Sequence, residues 1–444
     1  MARKRIGMTP HLVWRKETGY RLNGIVSGMV DGQMRLYLSG TRSVSGHRES
    51  AVFCLSAEGE TVWRTQLAEA AEERLACVFP NLIDDPFLGL CLFYSFGSSD
   101  NACPRPGYAR LVRAESGDVV WEARTRSHHA GNGSCIAADL DGDGRLEIVW
   151  WDSANVYCSD VSSGHLRWEY SDRVQICHGR PALARLRGSP AIIVGTEYSN
   201  PDGTSSVLAL DGSGRALWRK DGFPEDLGST PVILADTDHD GRDEFVIAGL
   251  DLVHHDNRET SFLWCFRDDG ELAYTAPCGC GGLAVARVRG ELLAAGITNT
   301  RDGGNSGARE VRLFSLATGE LKHSHPVPRA YLDAQNPVAA DLDGDGMPDF
   351  LLATGNPGGY GNDPAIPPCA DVYVVRADGA TLWAETFPNY IHQPFVSDVD
   401  GDGRNEMLLP CGDGSLYCIR TPGIATGSVW PCTGGSYSRW YSVT

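Results

Sequence analysis

Short apolar segments alternate with polar turns along the whole chain, and no stretch of ten or more residues keeps the 3.6-residue period of an amphipathic helix. Four segments are near copies of a strand–acidic loop–strand unit, at residues 135–150, 231–249, 337–354 and 394–410. Four weaker copies, which start near residues 23, 77, 181 and 282, keep the strands and lack the acidic loop. A third strand and a short strand ending in Trp follow several copies. Four short strands per repeat of roughly 46 to 58 residues are typical of a β-propeller blade.

The repeat predicts an all-β fold, a single β-propeller domain over residues 1–444 with eight blades, seven being the alternative count. We expect the blades to start near residues 21, 74, 132, 178, 229, 281, 335 and 393. The last repeat lacks an outer strand, and residues 11–17 match the missing one. The N-terminal strand is therefore expected to close the ring and to remove a free sheet edge. The tail from residue 429 is expected to add one further outer strand.

The acidic loops have the pattern D-x-D-x-D-G-x-x-[DE], in which three carboxylates face inward and Gly permits a sharp turn. Oxygen ligands at this spacing suit Ca²⁺. A strand follows each loop, where an EF-hand would continue into a helix. The loops predict up to four structural calcium sites, and a metal-free Asp/Gly turn is the alternative. The expected ligands are Asp139, Asp141, Asp143, Glu147, Asp236, Asp238, Asp240, Glu244, Asp341, Asp343, Asp345, Asp349, Asp398, Asp400, Asp402 and Glu406.

These loops resemble the FG-GAP or VCBS-type repeats of integrin α-subunits and of many bacterial propellers. The D-G-x-G-x-x-x-W run at residues 211–218 also resembles the tryptophan-docking turn of pyrroloquinoline-quinone-like propellers. Both resemblances imply a propeller and leave the function open, because propellers serve as enzymes, adhesion modules and scaffolds. Tryptophans in the outer strands are expected to pack between blades, namely Trp14, Trp63, Trp121, Trp168, Trp218 and Trp383.

The face opposite the acidic loops is the predicted functional face, because it gathers the long second-to-third strand loops and the inter-blade segments. Seven of the twelve histidines fall there, at positions 47, 128, 129, 178, 254, 255 and 392. Inter-blade segments lie near the axis, so their side chains are expected to converge on a polar pocket. The candidate catalytic residues are His129, His178, Arg180, His392, Tyr331 and Tyr390. The candidate substrate-binding residues are His128, Asn132, Tyr198, Arg258, Gln335 and Tyr360. A structural role, in hydrogen bonding or packing, is the alternative for each His and Tyr.

An arginine with histidines and tyrosines provides what proton abstraction next to a carboxylate needs. The expected function is a polysaccharide or oligosaccharide lyase that cleaves a uronic-acid-containing glycan by β-elimination. An eight-bladed, calcium-rich ring is also similar to rhamnogalacturonan lyases, and that similarity implies the same reaction class. The alternative is a non-catalytic, calcium-stabilised propeller that binds glycan or protein. A glycoside hydrolase would need two carboxylates, for which Asp152, Glu197 and Asp333 are candidates. A quinoprotein dehydrogenase is a further alternative.

The amino-acid composition restricts the classes of partner that the protein is expected to bind. The 39 basic and 57 acidic residues give a net charge of −18, which argues against nucleic acid or an anionic membrane as partner. No apolar run reaches the roughly 18 residues of a membrane span. No apolar segment follows the basic start of the chain, so we expect a cytoplasmic protein, or an exported one if a leader has been removed. Seven of the 14 cysteines lie in strand patterns and are expected to be reduced core thiols, with a few disulfides in an exported protein as the alternative: Cys54, Cys77, Cys91, Cys135, Cys158, Cys265 and Cys418. A monomer is expected.

Overall fold

The computed structural model describes residues 8–30, 32–44, 47–67, 72–79, 89–95, 108–127, 135–176, 180–250, 261–298, 309–327, 337–354, 368–391, 393–425 and 442–443. Within these ranges the chain forms strands and turns and no helix. The first seventeen strands are β1 (His11–Glu17), β2 (Arg21–Val30), β3 (Gln33–Val44), β4 (His47–Ser56), β5 (Thr61–Leu67), β6 (Glu72–Phe79), β7 (Gly89–Ser95), β8 (Tyr108–Arg113), β9 (Val119–Arg124), β10 (Ile136–Ala138), β11 (Glu147–Trp151), β12 (Val156–Asp160), β13 (Leu166–Tyr170), β14 (Ala182–Leu186), β15 (Ser189–Gly195), β16 (Ser205–Asp211) and β17 (Ala216–Phe223).

The remaining strands are β18 (Val232–Ala235), β19 (Glu244–Ala248), β20 (Phe262–Phe266), β21 (Leu272–Pro277), β22 (Ala284–Val288), β23 (Glu291–Ile297), β24 (Arg309–Ser315), β25 (Leu321–Val327), β26 (Val338–Ala340), β27 (Asp349–Ala353), β28 (Ala370–Val375), β29 (Thr381–Phe387), β30 (Phe395–Ser397), β31 (Arg404–Pro410), β32 (Ser415–Ile424) and β33 (Ser442–Val443).

These strands pair into eight sheets. Seven sheets contain four consecutive strands each, from β2–β5 through β26–β29, and consecutive strands are antiparallel neighbours. The eighth sheet has the order β1-β32-β31-β30. The predicted all-β propeller is confirmed.

The N-terminal strand closes the ring, as the sequence predicts. Strand β1 pairs antiparallel with β32, from His11 opposite Arg420 to Glu17 opposite Ser415. The guanidinium of Arg15 also donates to Ser415 Oγ (2.8 and 3.0 Å). The first described strand therefore supplies the outer edge of the sheet that contains β30–β32.

Most of the tail from residue 429, which is expected to add an outer strand, lies outside the described residues, and its described end forms an inner strand. Strand β33 pairs in parallel with β18, with Leu234 opposite Ser442 and Ala235 opposite Val443. Strand β18 is the first strand of its four-strand series, so β33 extends that sheet at its inner edge. A two-residue strand carries no alternating pattern from which its partner could be predicted.

Burial decreases from the middle strands of a sheet to its outer strand. All five side chains of β11 and all six of β28 are buried, whereas those of β13 are half-buried or exposed. The middle strands are buried on both faces because neighbouring sheets pack against each face. One core cluster accordingly includes residues of β18–β20, β22–β24 and β26–β28. Cys54, Cys135, Cys158, Cys265 and Cys418 are buried, as expected for cysteines in strand interiors.

The outer-strand aromatics join neighbouring sheets. Trp168 of β13 donates through Nε1 to Gly212 O (2.9 Å) in the next sheet. Gly214 follows in the same turn, with φ of +80°, and a Cβ there would lie 2.6 Å from the Trp168 ring. The same packing recurs for Trp14, Trp63, Trp121 and Trp218, while Tyr274 and His323 take the tryptophan position at two further junctions. The packing role is thus confirmed for five of the six predicted tryptophans. No helix of the described chain is long and apolar enough to cross a membrane.

Candidate metal centres and the opposite face

Each acidic loop connects the first and second strands of one sheet: β10 to β11, β18 to β19, β26 to β27 and β30 to β31. The loops therefore lie at equivalent places in four sheets. The glycine at position six of each loop adopts a positive φ between 82° and 88°, as the predicted sharp turn requires, at Gly144, Gly241, Gly346 and Gly403.

The first carboxylate organises the loop. In the loop at residues 139–147, Asp139 accepts hydrogen bonds from the backbone N–H groups of Gly142 (2.7 Å) and Gly144 (3.0 Å). The last carboxylate accepts from the loop's second residue, as Glu147 does from Leu140 N–H (2.8 Å). Loops 341–349 and 398–406 repeat this set, and loop 236–244 repeats it in part. Backbone N–H groups of the loop thus hold these carboxylates in place.

In each loop, oxygens of the first, third and ninth residues lie within 4.8 Å of one another. The four triads are Asp139, Asp141 and Glu147; Asp236, Asp238 and Glu244; Asp341, Asp343 and Asp349; and Asp398, Asp400 and Glu406. Two oxygens that bind one Ca²⁺ at about 2.4 Å are at most about 4.8 Å apart, so this spacing fits a single ion. The sequence also predicts the fifth residue of each loop as a ligand. These residues lie outside the triads, at Asp143, Asp240, Asp345 and Asp402.

The ninth residue of each loop is the most deeply buried carboxylate. Asp349 is 1 % exposed, and burial, followed by the charge of Asp343, raises the pKa of its carboxyl to about 8. Its Oδ1 is buried and has no hydrogen-bond partner in the described chain, and the same is true of Asp236 Oδ1. Burial likewise raises the pKa of Glu147, Glu244 and Glu406. A buried, unpartnered carboxylate oxygen costs free energy that a bound cation would offset.

In two of the loops, an arginine from a later strand of the same sheet lies among the carboxylates. Arg167 Nη1 lies 3.1 Å from Glu147 Oε1 and also contacts Asp141. Arg420 Nε lies 2.9 Å from Glu406 Oε1, and its Nη2 contacts Asp400. No ion pair of this kind reaches the triads of loops 236–244 and 341–349 within the described residues.

Most candidates on the opposite face fall outside the described residues. These are His128, His129, Asn132, His178, Arg258, Tyr331, Gln335, Tyr360 and His392. Arg180, Tyr198 and Tyr390 are described, so the predicted convergence can be followed for these three alone.

Arg180 and Tyr390 are buried and Tyr198 is half-buried. Arg180 O accepts a hydrogen bond from Val232 N–H (3.0 Å). Tyr390 lies in an inter-blade segment, where its carbonyl accepts from Gly412 N–H (2.7 Å). Tyr198, with φ of +25°, donates its hydroxyl to Leu250 O (3.4 Å). The backbone carbonyls of Arg180 and Tyr390 thus accept hydrogen bonds from different segments of the chain.

Asp152, which the sequence offers as a candidate carboxylate for a glycoside hydrolase, is surrounded by hydrogen-bond donors. Its Oδ2 accepts from Tyr157 OH (2.6 Å) and from the N–H of Ser127 (2.9 Å) and Arg126 (3.1 Å). Its Oδ1 accepts from the N–H of Ala154 and Asn155, both at 2.8 Å. A carboxylate with this many donors anchors the surrounding turns.

Glu197 and Asp226 form a buried pair of carboxyl groups, of which only Glu197 is a candidate from the sequence. Its Oε1 accepts from Ser229 Oγ (3.1 Å) and its Oε2 from Gln175 Nε2 (3.3 Å). Asp226 is fully buried, accepts at Oδ1 from Gly228 N–H (2.7 Å), and has no partner at Oδ2 in the described chain. Burial, and then the charge of Glu197, raises the pKa of Asp226 to about 8. In the sequence, Asp226 is recognisable only as an acidic residue in the inter-blade segment at residues 224–231.

Comparison with known proteins agrees with the fold. A protein-family model described as outer membrane protein assembly factor BamB matches residues 105–265, about a third of the chain. The match includes the tryptophan-docking turn at residues 211–218. It is not of the FG-GAP or VCBS type, so that resemblance rests on the loop sequences alone. No curated protein matches the chain.

Solved structures of similar fold have unrelated functions. BamB from Moraxella catarrhalis has a TM-score of 0.55 and 12 % identity over 93 % of this chain and 100 % of that chain. A europium-containing methanol dehydrogenase has a TM-score of 0.57 and 10 % identity over 93 % of each chain. A rhamnogalacturonan lyase matches at a TM-score of 0.48 and 13 % identity, over 94 % of this chain and 93 % of that chain. The first two similarities show the propeller fold alone, and the third is too distant to support the lyase prediction.

Proposed function

We propose that this chain is a calcium-stabilised β-propeller that acts as a binding scaffold, with the face opposite the acidic loops directed to a glycan or protein ligand. The observation that carries the proposal is the set of four carboxylate triads, each with oxygens within 4.8 Å of one another. A scaffold role also agrees with the printed description of the matched family model, an assembly factor.

Calcium is the ion that fits these loops best. Each triad supplies only carboxylate oxygens, and the loop backbone adds further oxygens of the same hard type. Mg²⁺ prefers strict octahedral geometry and retains several waters, which suits a short, carboxylate-rich loop less well. Calcium bound in this way would link the first and second strands of four sheets and would relieve repulsion among buried carboxylates.

The test of this proposal is thermal unfolding with calcium and with a calcium chelator. Calcium should raise the unfolding midpoint, because an ion that binds only the folded state stabilises it by mass action. Asp343→Asn, in the loop at residues 341–349, should reduce this gain. Asp172→Asn, an exposed carboxylate beside Arg173 outside every triad, is the matched control and should retain it. Equal midpoints in calcium and in chelator would refute calcium stabilisation.

A second candidate function, β-elimination on a uronate-containing glycan, is favoured by the surroundings of residues 225–232. Val232 binds the carbonyl of Arg180, Ser229 binds Glu197, and Asp226 belongs to the segment itself. In such a reaction a guanidinium neutralises the sugar carboxylate and a base removes the C5 proton. The C4–O bond then breaks as the C4–C5 double bond forms, and an acid protonates the leaving oxygen.

The two candidates are separated by following binding and ultraviolet absorbance on the same panel of uronate-containing oligosaccharides. Binding without an absorbance increase supports the scaffold, since the unsaturated product absorbs where the substrate does not. An absorbance increase that is lost in Arg180→Gln would establish the lyase in place of the scaffold.

A further inference from the structure

The four acidic loops differ in whether an arginine side chain pairs with their carboxylate triad. In loop 139–147, Arg167 of β13 contacts Asp141, Glu147 and Asp160. In loop 398–406, Arg420 of β32 contacts Asp400 and Glu406 and lies 3.4 Å from Asp402 Oδ2. Both guanidinium groups reach the third and ninth residues of their loop, which belong to the carboxylate triad.

The other two triads have no such guanidinium. In loop 236–244, Arg242 is 65 % exposed and lies 3.8 Å from Asp240, the fifth residue, which is outside the triad. Beside loop 341–349, Arg376 donates to Asp378 (2.6 and 3.1 Å) and interacts with Asp343 and Asp349 only through longer-range electrostatics. Within the described residues, the triads of these two loops therefore have no guanidinium in ion-pair contact.

Buried oxygens give independent support that the acidic loops are ion sites. Asp349 Oδ1, Asp236 Oδ1 and Glu147 Oε1 are buried without a hydrogen-bond partner in the described chain, and Asp349 and Glu147 are each 1 % exposed. The two classes of loop differ in the ion pair: a guanidinium, that of Arg167, lies 3.1 Å from Glu147 Oε1.

We infer that the four loops form two classes: loops 236–244 and 341–349 bind Ca²⁺ tightly, whereas Arg167 and Arg420 serve as internal cations that weaken calcium binding at loops 139–147 and 398–406. The inference rests on the proposed calcium binding. A guanidinium that already pairs with two of the three triad carboxylates competes with an incoming cation for the same oxygens and repels it. The two arginines would hold their loops in shape when calcium is scarce.

Calcium titration against a chromophoric chelator tests the inference by counting tight sites. The wild-type protein should show two tight sites. Arg167→Gln and Arg420→Gln should each add a third site, with affinity increased about tenfold or more. Arg215→Gln, which removes a guanidinium paired only with Asp211, is the matched control and should leave two. Four equivalent sites in the wild type would overturn the inference while leaving the proposed function intact, and no binding at any loop would refute both.

A second pair of variants covers the case in which an arginine variant folds poorly. Asp238→Asn removes the third residue of an arginine-free loop and should reduce the two tight sites to one. Asp141→Asn makes the same change in loop 139–147 and should leave both tight sites. Loss of a tight site in Asp141→Asn, or no loss in Asp238→Asn, would contradict the assignment. Circular dichroism on each variant verifies that the sheets are retained.

Discussion

At the scale of single residues, Asp152 and Asp226 are both fully buried carboxyl groups with different hydrogen bonds. Asp152 accepts from donors at both oxygens, whereas Asp226 has one oxygen without a partner and Glu197 beside it. The second arrangement stabilises the protonated form of Asp226, whose pKa is raised by burial and then by the charge of Glu197. The buried pair is therefore one place where the folded chain retains a proton that the unfolded chain releases.

Asp226→Asn should flatten the dependence of stability on pH. The folded-state pKa is raised to about 8, against about 3.9 for an unfolded Asp, so the folded state binds more protons between these values. Stability from this group should fall as pH rises from about 4 to about 8, by up to roughly 1.4 kcal/mol per pH unit. Asn cannot ionise and removes this contribution. Chemical unfolding across this pH range measures it, with Asp172→Asn as the control, and an unchanged slope in Asp226→Asn would contradict the assignment.

Gly214→Ala should destabilise the protein more than Gly203→Ala. Both glycines have φ near +80°, which costs an Ala about 1 to 2 kcal/mol. A Cβ at Gly214 would also meet the Trp168 ring at 2.6 Å, whereas one at Gly203 meets nothing within 4 Å. The difference between the two free energies of unfolding therefore isolates the tryptophan contact. Equal losses would show that the backbone alone requires glycine.

These residues also show how far the sequence predicts the site. The carboxylates of the acidic loops are close in sequence, so their spacing alone places three of them together. Arg167, by contrast, reaches Asp141 from a strand that begins 25 residues later, and Asp226 acquires its environment from Glu197 in the preceding sheet. Such neighbours depend on the pairing of strands and the packing of sheets, which a local pattern does not encode.

At the scale of elements, the alternating pattern predicts most strands because each sheet repeats the same burial, from covered middle strands to an exposed outer strand. The exception is β33, whose two residues pair with the inner edge of β18. The pairing of β1 with β32 is predictable, since β1 has the sequence of an outer strand and the last repeat lacks one.

Removal of residues 8–17 together with the preceding residues should expose the edge of β32. An unpaired strand edge is a template for pairing with another chain, so the truncated protein should self-associate as its concentration rises. Sedimentation at several concentrations measures this, and a synthetic peptide of residues 11–17 added in excess should reverse it. A truncated chain that stays monomeric would show that β1 does not protect this edge.

At the scale of the whole molecule, the net charge of −18 and the four acidic loops mean that like charges crowd parts of the ring. Self-repulsion of this kind destabilises a compact state. Bound calcium would lower the repulsion locally, and dissolved salt would lower it everywhere.

Monovalent salt should therefore raise the unfolding midpoint in the presence of a chelator. The screening length falls from about 10 Å at 0.1 M to about 3 Å at 1 M salt, so repulsion between loop carboxylates weakens. The increase should be smaller in saturating calcium, where the loops are already neutralised in part. A midpoint that does not rise with salt in the chelator would show that charge repulsion contributes little to the stability of the ring.

The pairing of β1 with β32 also constrains how the protein is made. Residues 11–17 leave the ribosome well before their partners at residues 415–420, which are synthesised about 400 residues later. During translation the intervening sheets can form in order while the first strand remains unpaired. Ring closure therefore follows the synthesis of all these sheets, and a nascent chain that stalls before residue 415 would present an unpaired strand to chaperones and to other nascent chains.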